Sequence, residues 1–84
     1  MNDQIIALDK VPPGSRFQIW HIDDSLPIKG RLKELGFRKG GVVDKLQVGF
    51  LGSPIACRVC GAVIAVRAED AKKIDVKRLF NILT

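Results

Sequence analysis

Residues 42–66 read VVDKLQVGFLGSPIACRVCGAVIAV. Val42 to Val48 is a β-branched run, Gly49-Phe50-Leu51-Gly52-Ser53 is a hairpin loop, and Pro54 opens a second run from Ile55 to Cys60. Gly61 punctuates, and Ala62-Val63-Ile64-Ala65-Val66 follows as a third. Short β-branched segments between glycine-centred turns predict consecutive antiparallel strands.

On the N-terminal side, Lys39-Gly40-Gly41 is a turn, and before it Ile28, Leu32 and Leu35 recur at i, i+4 and i+7. That spacing predicts one apolar stripe on a helix at about 25–35. Asp23, Asp24 and Ser25 supply N-cap oxygens, and Pro27 is tolerated in a first turn. Gly36 is placed to end the helix in the left-handed conformation, with Phe37 folding back onto the last turn. Gly30 inside the helix costs about 1 kcal/mol relative to Ala, so close packing is expected there to compensate. Ser15 to Ile22 predicts another strand; alternation puts Phe17, Ile19 and His21 on one face, and Ile22 breaks the phase, which implies a bulge or strand end near Trp20. Ile5-Ile6-Ala7-Leu8 precedes the turn Pro12-Pro13-Gly14.

On the C-terminal side, Glu69, Asp70, Ala71, Lys72 and Lys73 suit a short helix at about 68–74, acid first and base last. Ile74-Asp75-Val76 returns to alternation. The expected fold is therefore mainly β with small helices: one domain over 1–84, its core about 8–76, bent into a small antiparallel barrel of five or six strands.

The composition agrees with a globular chain: 84 residues, 46% hydrophobic, 27% charged, net charge +5. No apolar run approaches the ~18–20 residues that span a bilayer. Met1-Asn2-Asp3-Gln4 lacks the basic and apolar regions of a secretory signal. Two cysteines are too few for a disulfide scaffold, and a reducing, cytoplasmic setting is expected.

Cys57 and Cys60 form a C-x-x-C, which admits a metal clamp, a redox pair or two unrelated thiols. On a strand, residues three apart point to opposite faces, so two thiolates converge on one zinc only if a turn intervenes. A tetrahedral site would draw on Cys57, Cys60, His21 and a carboxylate such as Asp23. The ordinary alternative has Cys57 in the core, with Ile55 and Val59, and Cys60 outside with Arg58. His21, the only histidine, reads as a surface or interface residue at a strand end. The hydroxyl side chains Ser15, Ser25, Ser53 and Thr84 have no recognisable base in a motif, so no enzyme is expected. Arg31, Lys33, Arg38 and Lys39 cluster around the helix and its exit turn, suited to phosphates or to an acidic partner face. Phe37, Phe50 and Leu51 lie at turns, where exposed apolar side chains mark contact surfaces.

Arg31-Leu32-Lys33-Glu34-Leu35-Gly36, Gly40, Pro54-Ile55, Gly61, Ala65-Val66-Arg67, Glu69, Ala71, Ile74 and Val76 together resemble the FeoA family. The resemblance runs from about Leu8 to Val76. It departs from the family pattern at Lys39, where proline is frequent, and at Cys57 and Cys60, which replace an aliphatic and a polar or basic residue. It implies an SH3-like fold, shared with the C-terminal domain of iron-dependent repressors. It also implies a cytoplasmic accessory role in ferrous iron uptake, through docking on the cytoplasmic domain of a FeoB-type membrane transporter at the inner face of the plasma membrane. No resident cofactor follows from it, only transient contact with Fe(II). The partner-binding candidates are Arg31, Phe37, Arg38, Lys39, Phe50 and Leu51. The competing expectation is a nucleic-acid-binding SH3-like or OB-like barrel, or a repressor-type regulatory domain. Nucleic-acid barrels interleave aromatics with basic residues on strands; Phe17, Trp20, Phe37, Phe50 and Phe80 show no such alternation.

Overall fold

A computed structural model describes residues 4–79; Phe80 and Thr84 lie outside them. The chain forms β1 (Ile5–Ala7), a 3-10 turn (Leu8–Lys10), β2 (Arg16–Ile22), α1 (Lys29–Glu34), β3 (Val42–Val48), a 3-10 turn (Phe50–Gly52), β4 (Ile55–Val59), β5 (Ala62–Val66), α2 (Ala68–Ala71) and β6 (Ile74–Arg78). The strands make one six-stranded sheet in the order β1-β6-β2-β3-β4-β5, with every described pairing antiparallel. Its two edges, β1 and β5, do not pair with each other, so the expected barrel is an open, bent sheet.

Bulges supply the bend. The register of β2 on β6 shifts between Ile19 and His21, and that of β3 on β4 between Lys45 and Gln47. An extra residue on one strand increases local twist and changes the alternation. In β2 the result is that Phe17, Ile19 and Ile22 are buried, while Trp20 and His21 both face outward. The concave side gathers Phe17, Ile19, Val43, Ile55, Ile74 and Val76, covered by Leu8, Val11, Leu32 and Ala71 from the turns and helices. Each large side chain so buried contributes about 1.5–3 kcal/mol of transfer free energy.

α1 is shorter than the expected 25–35, and Pro27 explains why. The residue before a proline is steered away from helical angles, and Leu26 is instead seated in the core. Asp23 Oδ1 accepts from the Ser25 amide at 2.8 Å, closing a local turn rather than capping the helix. That hydrogen bond also holds the Asp23 carboxyl below the usual carboxylate range. The far end of α1 follows the expected stop: Gly36 has φ +92°, its amide donates to Lys33 O at 3.1 Å, and the Phe37 amide donates to Leu32 O at 2.8 Å. This doubly bonded reversal directs the second residue beyond the helix back onto it, and Phe37 is fully buried.

Gly30 departs from expectation. Among the described residues nothing lies within 4 Å of a Cβ built there, so no close packing compensates its cost. Gly30→Ala should therefore raise stability by about 0.5–1 kcal/mol in urea denaturation. An unchanged or lower stability would contradict an open, ordinary helical position.

Candidate functional site

Strand alternation places the two thiols apart. Ile55, Cys57 and Val59 are buried and Arg58 is exposed. The strand ends one residue earlier than the expected Cys60. Val59 pairs with Ala62, which leaves Cys60 (φ 51°) and Gly61 (φ 79°) as a two-residue turn. Two successive positive φ values in such a turn are the hairpin geometry that matches strand twist. Cys60 is thus exposed, and a Cβ at Gly36 would lie 2.5 Å from its Sγ. Both cysteines are free thiols. Among the described residues no three His, Cys, Asp or Glu side chains gather where they could hold a metal ion, so Cys57, Cys60 and His21 are not brought together.

His21 instead faces cations. Turned out by the bulge, it lines a cavity of about 210 Å³ with Ile22, Lys29, Lys33, Arg38 and Lys39. Lys29 and Lys33 are four residues apart and share one side of α1. Arg38 and Lys39 arrive through the reversal at Gly36, and the exit turn is tied to β2 by Gly40 N to Ile19 O at 2.8 Å and Ile19 N to Gly41 O at 2.9 Å. Trp20, 43% exposed, stands beside this cluster with Lys39 Nζ 5.5 Å from its ring centroid. Lys33, Arg38 and Lys39 meet as the basic cluster expected from the sequence, whereas the participation of His21 and Lys29 escaped that reading. The i, i+4 lysines and the phase break at Trp20 were its available signals.

Arg31 belongs elsewhere, in a groove of about 660 Å³ between α1 and β5 lined by Ile28, Leu35, Ile64, Arg67 and Asp70 among others. Phe50 and Leu51 stand at a third place, the tip of the β3–β4 loop, each 88% exposed. Arg38 and Lys39 precede β3 whereas Phe50 and Leu51 follow it, so opposite ends of that strand carry them. Phe37 is a correction to the expected docking set: its fold-back onto α1 puts it in the core, where it can touch no partner. The six residues named from the sequence therefore occupy three surface regions and the interior rather than one patch.

Cys57 carries a measurable consequence. Burial pushes its thiol from 9.0 up to about 11, with the Lys45 ammonium opposing. Between pH 9 and 11 the folded chain keeps a proton that the unfolded chain loses, so stability falls as pH rises through that window, by roughly 2–3 kcal/mol in all. Lys45 acts in the other direction: desolvation pushes its ammonium below 10.5, so the folded chain releases that proton first and gains stability as pH rises. Cys57→Ala removes the falling contribution. Between pH 8.5 and 11 the unmodified protein should lose about 2–3 kcal/mol more than the variant in urea titrations. Equal losses would contradict the buried placement of this thiol.

Comparison with known proteins agrees with the geometry. The FeoA domain pattern matches residues 6–78. No curated protein sequence matches the chain. Among solved structures, the FeoA protein from Chlorobium tepidum is similar at TM-score 0.83 and 25% identity, over 89% of this chain and 71% of that one. Iron(II) transport protein A from Clostridium thermocellum is similar at TM-score 0.79 and 28% identity, over 88% of this chain and 46% of that one. A manganese-dependent transcriptional repressor shares the fold at TM-score 0.79 and 16% identity, over 94% of this chain and 44% of that one. With the domain pattern spanning 6–78 and the open six-stranded SH3-like sheet in place, the chain belongs to the FeoA domain family, which its relatives' names link to ferrous iron transport.

Proposed function

We propose that the chain is a non-enzymatic accessory protein of ferrous iron uptake that docks on the cytoplasmic domain of a FeoB-type transporter, with Fe(II) as the transporter's cargo. The observation that carries this reading is the pair Phe50 and Leu51, 88% exposed at one loop tip. Two adjacent large apolar side chains fully in water are costly unless a partner covers them, and burial returns about 1.5–3 kcal/mol for each.

The loop is also held in shape. Gly49 N donates to Pro54 O at 2.8 Å, Gly52 N donates to Gly49 O at 3.0 Å, and Ser53 Oγ accepts from the Ala68 amide at 3.1 Å. A tip ordered before binding loses little entropy when it docks. Rigid scaffolds carry recognition on such loops.

No helix among the described residues is long and apolar enough to cross a membrane. We assign membrane association to the partner. The competing nucleic-acid reading finds little support: Phe17 and Phe37 are buried, and the exposed Trp20 and Phe50 lie in different regions, so no row of stacking platforms forms among the described residues.

The double variant Phe50→Ser/Leu51→Ser tests the docking. Co-purification with the transporter's cytoplasmic domain should weaken by about tenfold or more, while stability stays within about 1 kcal/mol, as for exposed positions. Undiminished co-purification would overturn the docking role of the tip. Loss of folding would place both residues in the core.

A further inference from the structure

The cationic cavity beside Trp20 has no part in docking through the β3–β4 tip. Three separate local devices converge there: the β2 bulge that exposes His21, the helix face that aligns Lys29 with Lys33, and the reversal that returns Arg38 and Lys39. Of the four Lys and Arg side chains, Lys29 alone is ion-paired to a carboxylate among the described residues, that of Asp24. Lys39 is held against the Trp20 ring instead. The nearby acidic groups are Asp23, whose oxygen is engaged by the Ser25 amide, Asp24, and Asp75 opposite His21 on β6. Lys33 and Arg38 make no ion pair among the described residues.

Like charges gathered around one cavity repel one another, and an anion between them reverses that cost. Arg presents a planar fork to tetrahedral oxyanions, and lysine adds point charge. The cavity, at about 210 Å³, is smaller than the roughly 300–1,000 Å³ of sites for larger organic ligands. A compact, multiply charged anion suits it. The same surroundings repel a metal cation, which sets His21 apart from metal ligation.

We propose that this cavity binds phosphate groups of high charge density, either a free di- or polyphosphate or a phosphomonoester head group. Lys33 and Arg38 hold the oxygens, with Lys29, Lys39 and His21 around them. Lys39 links the cavity to Trp20, the single tryptophan of the chain. Anion capture that moves the Lys39 ammonium therefore changes the tryptophan emission.

Titration of the full chain with inorganic pyrophosphate, followed by Trp20 fluorescence and by calorimetry, should show saturable one-to-one binding. Lys33→Ala/Arg38→Ala should weaken it by about tenfold or more, and Phe50→Ser/Leu51→Ser should leave it unchanged. A parallel arm uses vesicles of phosphatidylcholine with and without phosphatidic acid. Pyrophosphate binding lost in the Lys33/Arg38 variant supports a soluble ligand. Binding to phosphatidic acid vesicles alone, lost in the same variant, supports a head group. Binding to neither probe, or binding that the variant retains, overturns the proposal.

Discussion

Lys45 on β3 fixes how the N-terminal segment closes over the sheet. Its side chain is 2% exposed, and its Nζ donates to the carbonyl of Leu8 at 3.1 Å and to the carbonyl of Val11. Its backbone does the rest: Gly14 N donates to Lys45 O at 2.7 Å and Lys45 N to Ser15 O at 2.9 Å. One residue thus anchors the whole passage from Leu8 to Ser15. Burying an ammonium is costly unless its donors are satisfied, and desolvation accordingly pushes this one down from its ordinary range. The two carbonyls offset that cost, and the Leu8 carbonyl accepts from the Val11 amide at 3.2 Å as well. With Leu8 and Val11 seated, β1 is delivered to β6 and the core gains its cover.

The same core decides which surface features are available. β2 and β3 form the spine, their register pinned by Arg16 across from Asp44, where Nε donates at 2.7 Å and Nη2 at 3.2 Å. At one end of β3 the helix exit brings cations around Trp20, and at the other end the short turn lifts Phe50 and Leu51 into solvent. The two ends differ in physical character. One suits small anions, and the other suits an apolar cleft on a protein.

Much of this was legible in the sequence where a local rule had a single outcome. Gly36 stops α1 and Phe37 folds back, as the glycine predicts; the same rule removes Phe37 from the docking set, since a residue folded onto a helix is lost to the surface. The phase break at Ile22 implied a bulge or a strand end near Trp20, and it is a bulge. Three features were hidden. Cys60-Gly61 forms a turn usually signalled by Asn-Gly or Asp-Gly, so Cys60 read as strand. Pro27 looked like a first-turn proline, but the burial of Leu26 delays the helix to Lys29. The full cationic cavity, which adds His21 and Lys29 to the expected Lys33, Arg38 and Lys39 and leaves Arg31 out, depends on residues from β2, α1 and the exit turn meeting in space. For the same reason the sequence grouped Arg38 and Lys39 with Phe50 and Leu51, although a whole strand divides them.

Docking through the loop tip is the central claim, and a solution NMR map of the interface tests it most directly. The isotope-labelled chain is saturated with the transporter's cytoplasmic domain, and cross-saturation is read at each backbone amide. The account predicts the strongest transfer at Gly49 to Ser53, fading along β3 toward Val42. Strongest transfer in the groove around Arg31, Leu35, Ile64 and Arg67, with the loop tip silent, would contradict it.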